Sequence, residues 1–537
     1  MPLIELNGNQ LDIATLVKVA RQQAKVAIAS ESYQRIEKSR SYIEEQVKAK
    51  KIIYGVTTGF GANASKVIDD YEEAKELQKN LLISHASGVG EYFSKEIVRA
   101  IMLIRLNTLL AGFSGVRKET VDFLCMLLNE NIHPRIPSQG SVGASGDLCP
   151  LAHMALAVIG EGEIEFDEHI FEAKDIFQQK NITPIALSHK EGIALLNGTS
   201  VMAALGALAI WQAKDLLQKS LNASCLMFEA IGARKQAFDE RIHQVRKHNP
   251  QIQIATWIRE FTQNSTLIGI ESNEILTKTE TPQESNEKKA KWLSLENIRN
   301  FALKKVTPQD SYSIRCTPQV LGASLQAIEH CEQIIANELN AVVDNPLIFV
   351  EDNEVLSGGN FHGQPLALAL DYLKLAIAEM GNLMERQINK LTDEATNDCL
   401  PAFLAPDTSG LHSGLMIPQY VAASLVSENK VLVHPASADS IPTCANQEDH
   451  VSMGTIAGRQ ALQILENVKK VTAILMLTAN QAVYLRKQQL AQISFEVKLG
   501  TKTQILHQKL DRLIGFMDKD RFLQKDIEKI LANWNNF

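Results

Sequence analysis

Apolar residues recur along the second half of the chain at steps of three and four. After Pro365, the series Leu366, Leu370, Leu373, Ile377, Met380, Met384, Ile388 and Leu391 keeps this spacing, which is the period of one helix face. Leu465, Val468, Val471 and Leu475 repeat it within 459–499, a stretch with neither Gly nor Pro. Residues 319–345 form a third such segment. Helices of this length exceed those usual in compact domains and predict a bundle of long helices. Their stripes hold many Ala and Leu, which permits close approach of helices, including those of neighbouring subunits. Most stripe positions read as simple core.

Glycine-rich loops cluster in the first 200 residues, and the long helices lie beyond them. A soft boundary at 197–200 therefore separates residues 1–199 from a helical part, 200–537. Residues 278–291, charged, with Pro282 and no apolar period, read as a solvated surface loop. No internal repeat or low-complexity segment is present.

Composition narrows the class without defining it. With 537 residues, 45% hydrophobic and 22% charged, the chain can bury a large core. A net charge of -8 without a dense basic patch argues against nucleic acid as a partner. Residues 1–16 carry Glu5 and Asp12 and lack a basic head before an apolar core, so no signal peptide is read there. No apolar run is read as long enough to span a membrane, the richest being 471–483, so no membrane partner is expected. The seven cysteines are scattered without paired spacing, which fits a reducing cytoplasm and not a disulfide framework. No Cys/His set has zinc spacing, and no metal is assigned.

The densest chemistry lies in Gly140-Ser141-Val142-Gly143-Ala144-Ser145-Gly146-Asp147-Leu148-Cys149-Pro150-Leu151-Ala152-His153. Attack of the Gly146 nitrogen on the Ala144 carbonyl, with loss of water, closes a five-membered ring. Loss of the Ser145 hydroxyl as a second water leaves an exocyclic methylene. The product is a methylidene-imidazolone (MIO), an electrophile made from the chain itself. Gly146 lacks a Cβ, so its nitrogen can approach the carbonyl; Ser145 supplies the hydroxyl, and Ala144 is small enough not to obstruct closure. The tripeptide alone is weak evidence, since it should occur by chance in about one chain in five of this length. A flexible loop or a phosphate-cradling turn is the plain alternative, although the Gly-Lys-Ser/Thr ending and the dinucleotide fingerprint are both missing. A helix start follows, with Asp147 able to cap it and Pro150 in its first turn. The tripeptide then sits near the partial positive charge of a helix N-terminus.

Further blocks accompany it in a fixed order. They are Tyr54-Gly55-Val56-Thr57-Thr58-Gly59-Phe60-Gly61, Leu81-Leu82-Ile83-Ser84-His85-Ala86, Leu196-Asn197-Gly198-Thr199, Gln309-Asp310-Ser311-Tyr312-Ser313-Ile314-Arg315-Cys316, Ser357-Gly358-Gly359-Asn360-Phe361-His362-Gly363 and Ser427-Glu428-Asn429-Lys430. Through these blocks, spread over almost the whole chain, the sequence resembles the MIO-dependent aromatic amino acid ammonia-lyase and aminomutase family, most closely its histidine-acting branch. The resemblance implies a mainly α fold, a long-helix bundle of the ammonia-lyase (aspartase/fumarase-like) type with a loop-rich N-terminal part. Residues 1–199 would carry the MIO and a mobile Tyr54 loop. The MIO would form autocatalytically from Ala144, Ser145 and Gly146, with no metal and no pyridoxal phosphate (PLP), for which no Schiff-base lysine or phosphate cup is recognisable. A homotetramer whose active sites combine loops of several subunits is also implied.

The resemblance gives roles to residues that alone read blandly. Tyr54 by itself is a packed aromatic in a glycine turn; the resemblance makes it the base for the substrate β-proton, which requires surroundings that draw off the phenol proton. Gly55, Gly59 and Gly61 would let its loop close over substrate. Arg315 by itself is a surface or interface ion pair; by resemblance it forks onto the substrate carboxylate. Tyr312, three residues earlier, falls on the same side of a helical turn. By resemblance Asn197 would bond the carboxylate or the ring, Gln309 and Tyr312 would line the pocket, and Phe361 would pack near the prosthetic group. A structural role remains open for each.

Substrate choice follows from Ser84-His85, the pair that meets the substrate side chain in the family. Phenylalanine-specific members tend to carry an aromatic-Leu pair there, tyrosine-specific lyases His-Leu, and histidine enzymes Ser-His. His85 can hydrogen-bond an imidazole that an apolar pocket would leave unsatisfied. Glu428 adds a carboxylate for the imidazole or for proton transfer; a helix ion pair with Lys430 is the alternative. Tyrosine aminomutases also carry Ser-His, and Val56-Thr57-Thr58-Gly59 is a variant common in phenylalanine enzymes, whereas His434-Pro435-Ala436-Ser437 and Asn446-Gln447-Glu448-Asp449-His450 resemble the histidine branch. The expectation is a cytoplasmic carbon-nitrogen lyase that converts L-histidine to trans-urocanate and ammonia, the first step of histidine degradation. A tyrosine or phenylalanine ammonia-lyase, or a tyrosine 2,3-aminomutase, is the alternative, and a catalytically dead helical scaffold is a third.

Overall fold

The computed structural model describes residues 3–68, 70–280 and 290–537. Most of the segment read as a solvated loop, 281–289, lies outside the described residues. Twenty α-helices are present among the described residues, with strands of only two to four residues. The fold is mainly α.

Two of the apolar stripes are the helices Gln364–Thr392 and Gly454–Ala491, of 29 and 38 residues. At 1.5 Å per residue the second is about 57 Å long. The third expected stripe, 319–345, is helical only as Thr317–Glu338. Asn340, Asp344 and Asn345 favour turns, and Pro346 disfavours helix in the residue before it. A further long helix, Ser200–Ile231, has the length and composition to cross a membrane, which corrects the reading that no apolar run is long enough. Yet 78% of its most apolar window is buried within the protein, the behaviour of a core helix.

The chain divides into two compact units. The first comprises Met1–Trp211, His330–Leu373 and His434–Leu462. Its helix Lys95–Leu110 is buried without a break from Val98 to Leu110 and packs against Ile13–Gln22 and Lys118–Asn129. The buried Arg99 ties these pieces, donating to the carbonyls of Val19 (2.9 Å) and Leu128 (3.0 Å). Long helices approach closely at glycines: a Cβ on Gly458 would lie 2.9 Å from Leu205 Cβ, and one on Gly206 would overlap the Ile335 side chain.

The second unit comprises Gln212–Glu329, Lys374–Val433 and Gln463–Phe537. Polar side chains link its helices inside an apolar core. Ser220 and Thr472 share a 2.9 Å hydrogen bond, and Ser224 donates to Gln387 at 2.8 Å. The buried Arg486 donates to the Ala230 carbonyl (2.8 Å) and lies 3.8 Å from the Phe301 ring centroid. His507 Nδ1 meets Asn480 Oδ1 at 2.7 Å.

Burial holds His507 neutral, its pKa pushed down to about 4 with help from Lys487. Because the folded value lies below the unfolded one, this stability is complete above about pH 6.5 and is lost as pH falls toward 4. Thermal unfolding followed from pH 7 to 4 should show a falling midpoint, and His507→Gln should flatten that fall by about 1–3 kcal/mol.

Candidate active site

The strand Pro137–Gln139 pairs antiparallel with Val89–Tyr92 and delivers the chain to Gly140. The helix Leu148–Val158 then begins immediately after Asp147. Asp147 does not cap this helix through its side chain, contrary to expectation. Its fully buried carboxylate accepts from the hydroxyls of Ser141 (3.0 Å) and Thr455 (2.6 Å) and from the N–H groups of Val201 (3.0 Å) and Met202 (2.9 Å). It therefore caps the Ser200–Ile231 helix instead and locks two helix starts together. Burial pushes its carboxyl up in pKa while the four hydrogen bonds pull it down.

Gly146 forms an isolated parallel bridge with Gly198. Asp147 N–H donates to the Gly198 carbonyl at 2.7 Å, and Gly198 N–H donates to the Ser145 carbonyl at 3.3 Å. Asn197 Nδ2 donates to the same Ser145 oxygen at 3.3 Å, so two N–H groups converge on it. Gly146 has φ +70°, and a Cβ there would overlap the Gly198 carbonyl; only glycine fits. On its other side the Ser145 hydroxyl donates to Glu448 at 2.6 Å, and Glu448 also accepts from Thr443 Oγ1 at 2.7 Å.

Tyr54, Ser84, His85, Ser145, Asn197 and Glu448 line one cavity of about 790 Å³. Leu77, Asn80, Leu81, Ser84 and His85 contribute one face of the helix Tyr71–His85 to it. A second cavity of about 490 Å³ shares Tyr54, Ser145 and Glu448 and adds Ala144 and Phe361. The first unit thus brings together Tyr54, His85, Ala144, Ser145, Gly146, Asn197 and Phe361.

Tyr54 Oη accepts from Gly61 N–H at 3.0 Å, and the Phe60 ring meets its ring edge-on. Burial pushes the phenol up in pKa, Cys444 and Glu448 add to this, and the Gly61 N–H pulls it down. The net direction is toward the protonated phenol, opposite to the polarisation anticipated for a base. Burial also lowers His85, against the Leu81 carbonyl and Glu448, which raise it; Ser84 Oγ lies 3.1 Å from its Nδ1. Thr57 and Thr58 in the same loop are buried ties: Thr57 Oγ1 accepts from Ile53 N–H (2.9 Å) and Thr58 Oγ1 from Gly55 N–H (3.1 Å).

Gln309, Tyr312, Arg315 and Glu428 belong to the second unit, and neither cavity includes them in its lining. The short helix Tyr312–Arg315 places the Arg315 guanidinium 4.5 Å from the Tyr312 ring centroid, as the three-residue spacing implies. Arg315 Nε donates to the Asp310 carbonyl at 3.0 Å. The turn is well anchored, because Arg234 grips the Asp310 carboxylate (2.5 Å) and Gln387 donates to the Ser313 carbonyl (2.9 Å). Tyr312 nevertheless stays 70% exposed, and Gln309 is exposed as well. Glu428, exposed on the helix Met416–Leu432, accepts from Gln463 at 3.3 Å. The carboxylate on Ser145 is Glu448, to which the sequence reasoning gave no role.

The description of the aromatic amino acid lyase family matches residues 11–512, and the chain belongs to that family. It is 44% identical over 527 residues to the histidine ammonia-lyase of Caldanaerobacter subterraneus subsp. tengcongensis, covering 98% of this chain and 95% of that protein. Among solved structures it is similar to histidine ammonia-lyase from Trypanosoma cruzi, at 34% identity and a TM-score of 0.85, covering 100% of this chain and 94% of that one. It is also similar to tyrosine aminomutase from Streptomyces globisporus, at 35% identity and a TM-score of 0.87, covering 100% and 97%.

The bridge of Gly146 to Gly198 leaves no space for a methyl group. Gly146→Ala should destabilise the folded chain by about 3 kcal/mol or more through overpacking and positive-φ strain. A thermal melt with an unchanged midpoint would contradict the geometry.

Proposed function

We propose that the chain is an ammonia-lyase acting on L-histidine to give trans-urocanate and ammonia, the first step of histidine degradation. One observation carries the reading: Ser145, with two N–H donors on its carbonyl and Glu448 on its hydroxyl, faces Tyr54 and His85 across one cavity. The backbone suits MIO formation, since Gly146 lies where a Cβ has no room and Asn197 Oδ1, buried, has no partner among the described residues. Closed from Ala144, Ser145 and Gly146, the MIO would supply an electrophilic methylene for the substrate amine; neither a metal nor PLP has a part in the scheme. Gly198 N–H and Asn197 Nδ2 polarise the Ser145 carbonyl, where negative charge would gather.

His85 hydrogen-bonds the substrate imidazole, and its lowered pKa keeps it neutral and able to do so. Tyr54 takes the β-proton. Because its surroundings favour the protonated phenol, it must first give its own proton to solvent as substrate binds, and activity rises with pH. Glu448, on the Ser145 hydroxyl, stands where a carboxylate can meet the amine or the imidazole, and Glu428 would supply a second carboxylate for the imidazole or for proton transfer. Phe361 lines the second cavity together with Ala144 and Ser145.

Arg315 and Tyr312 bind the substrate carboxylate, with Gln309 beside them, in the active site of another copy of the chain. This is supported by their anchoring on a turn that leaves Tyr312 exposed. The assembly in this reading is a homotetramer with composite sites. Apolar side chains exposed on two helices, Leu368, Tyr372 and Leu375 on one and Ile417, Tyr420 and Val421 on the other, suit subunit contacts. Seven free cysteines fit work in a reducing cytoplasm.

The direct test is intact mass together with product formation from L-histidine, L-tyrosine and L-phenylalanine. Loss of two waters with urocanate from histidine alone is expected; cinnamate-type products or a β-amino acid would move the chain to the aromatic lyase or aminomutase branch. An unmodified mass without turnover would mark a dead scaffold. Tyr54→Phe should lower kcat by about 10²–10⁴. Co-expression of Tyr54→Phe and Arg315→Met chains should recover part of the activity that each lacks alone, because mixed tetramers then hold some complete sites. No recovery would argue against composite sites.

A further inference from the structure

We propose that His153 is a positioning residue that holds the His85 end of the amino acid pocket in register with Ser145. The idea rests on the histidine-lyase reading above and adds to it a residue that touches neither substrate nor prosthetic group. His153 stands on the helix Leu148–Val158, which starts two residues after Gly146. Its Nε2 accepts a 3.0 Å hydrogen bond from Gly88 N–H. Gly88 in turn lies three residues beyond His85, the last residue of the helix Tyr71–His85. Between them the chain makes a tight turn in which Ser87 N–H donates to the His85 carbonyl at 2.9 Å.

This contact joins the two walls that must agree on where the substrate lies. One wall is the loop that makes the electrophile; the other is the helix end that meets the imidazole. Beyond Gly88 the strand Val89–Tyr92 pairs with Pro137–Gln139, which leads back to Gly140. His153 pins the near end of that same segment. The fit is close, since a Cβ on Gly88 would lie 3.2 Å from both His153 Nε2 and Pro137 Cβ. Burial lowers the His153 pKa and so favours the neutral ring, the form that can accept. Without the acceptor, Gly88 N–H loses its partner and the His85 end is free to shift against Ser145. A shift of this kind weakens the hold on the substrate and its alignment with Ser145.

The test compares the unaltered enzyme with His153→Leu and His153→Gln. Leu removes the acceptor at similar volume, while Gln restores an acceptor oxygen. His153→Leu should raise KM for L-histidine about five- to tenfold, the scale of one lost hydrogen bond, while kcat falls less than about threefold and the two-water mass loss stays complete. His153→Gln should bring KM back to within about twofold of the unaltered enzyme. Gly88→Ala, which presses on the same contact, should raise KM in the same direction and keeps the idea open to refutation if His153→Leu does not fold. An unchanged KM in His153→Leu, or equal impairment of the Leu and Gln variants, overturns the proposal. Absence of urocanate from the unaltered chain instead overturns the histidine-lyase reading, and this inference with it.

Discussion

The site depends on two glycine backbones lying closer than any side chain would allow. Gly146 and Gly198, both at positive φ, meet as a parallel bridge. Three hydrogen bonds around that bridge fix the Ser145 carbonyl and the start of the Leu148–Val158 helix. Asp147, next in the chain, reaches across to the first turn of the Ser200–Ile231 helix. One close approach therefore sets the Ser145 loop, the Asn197 amide and two helix N-termini together. A buried carboxylate with four donors is tolerable because each of its lone pairs is used.

The first unit supplies a polar, partly enclosed pocket whose local fields do not by themselves make a phenolate. Burial and the neighbouring Glu448 work against ionisation of Tyr54, and a single backbone N–H works for it. On the proposed chemistry, the polarisation that Tyr54 needs would come with the substrate and with groups of another copy of the chain. That division agrees with a turn such as Tyr312–Arg315, built firmly at its base yet open at its tip.

How much of this was legible depended on the physical scale of each signal. Stripes at 366–391 and 465–475 announce their helices because a three-four period sustained over several turns outweighs local propensity. The Ser200–Ile231 helix escapes the same test, since residues 201–210 are buried throughout and no polar face marks a stripe. The Ala144-Ser145-Gly146 tripeptide stands out by its chemistry, but the partner helix of Asp147 does not, because that cap spans 54 residues. Glu448 is hidden for a different reason. Cys444, Ala445 and Asn446 all adopt positive φ, at 51°, 53° and 65°, and only Asn of the three signals such a turn. Glu428, on a regular amphipathic helix, presents the more conventional appearance and lines neither cavity.

Ser145 and Glu448 lie 303 positions apart in the chain and meet only when the first unit has closed. Gly146 and Gly198 likewise belong to different stretches. On the proposed chemistry, a molecule short of two waters has at some time been folded, and it keeps that mark through any later denaturation. The missing mass is then a covalent memory, and a mixed population can be sorted into chains that once reached the native state and chains that never did.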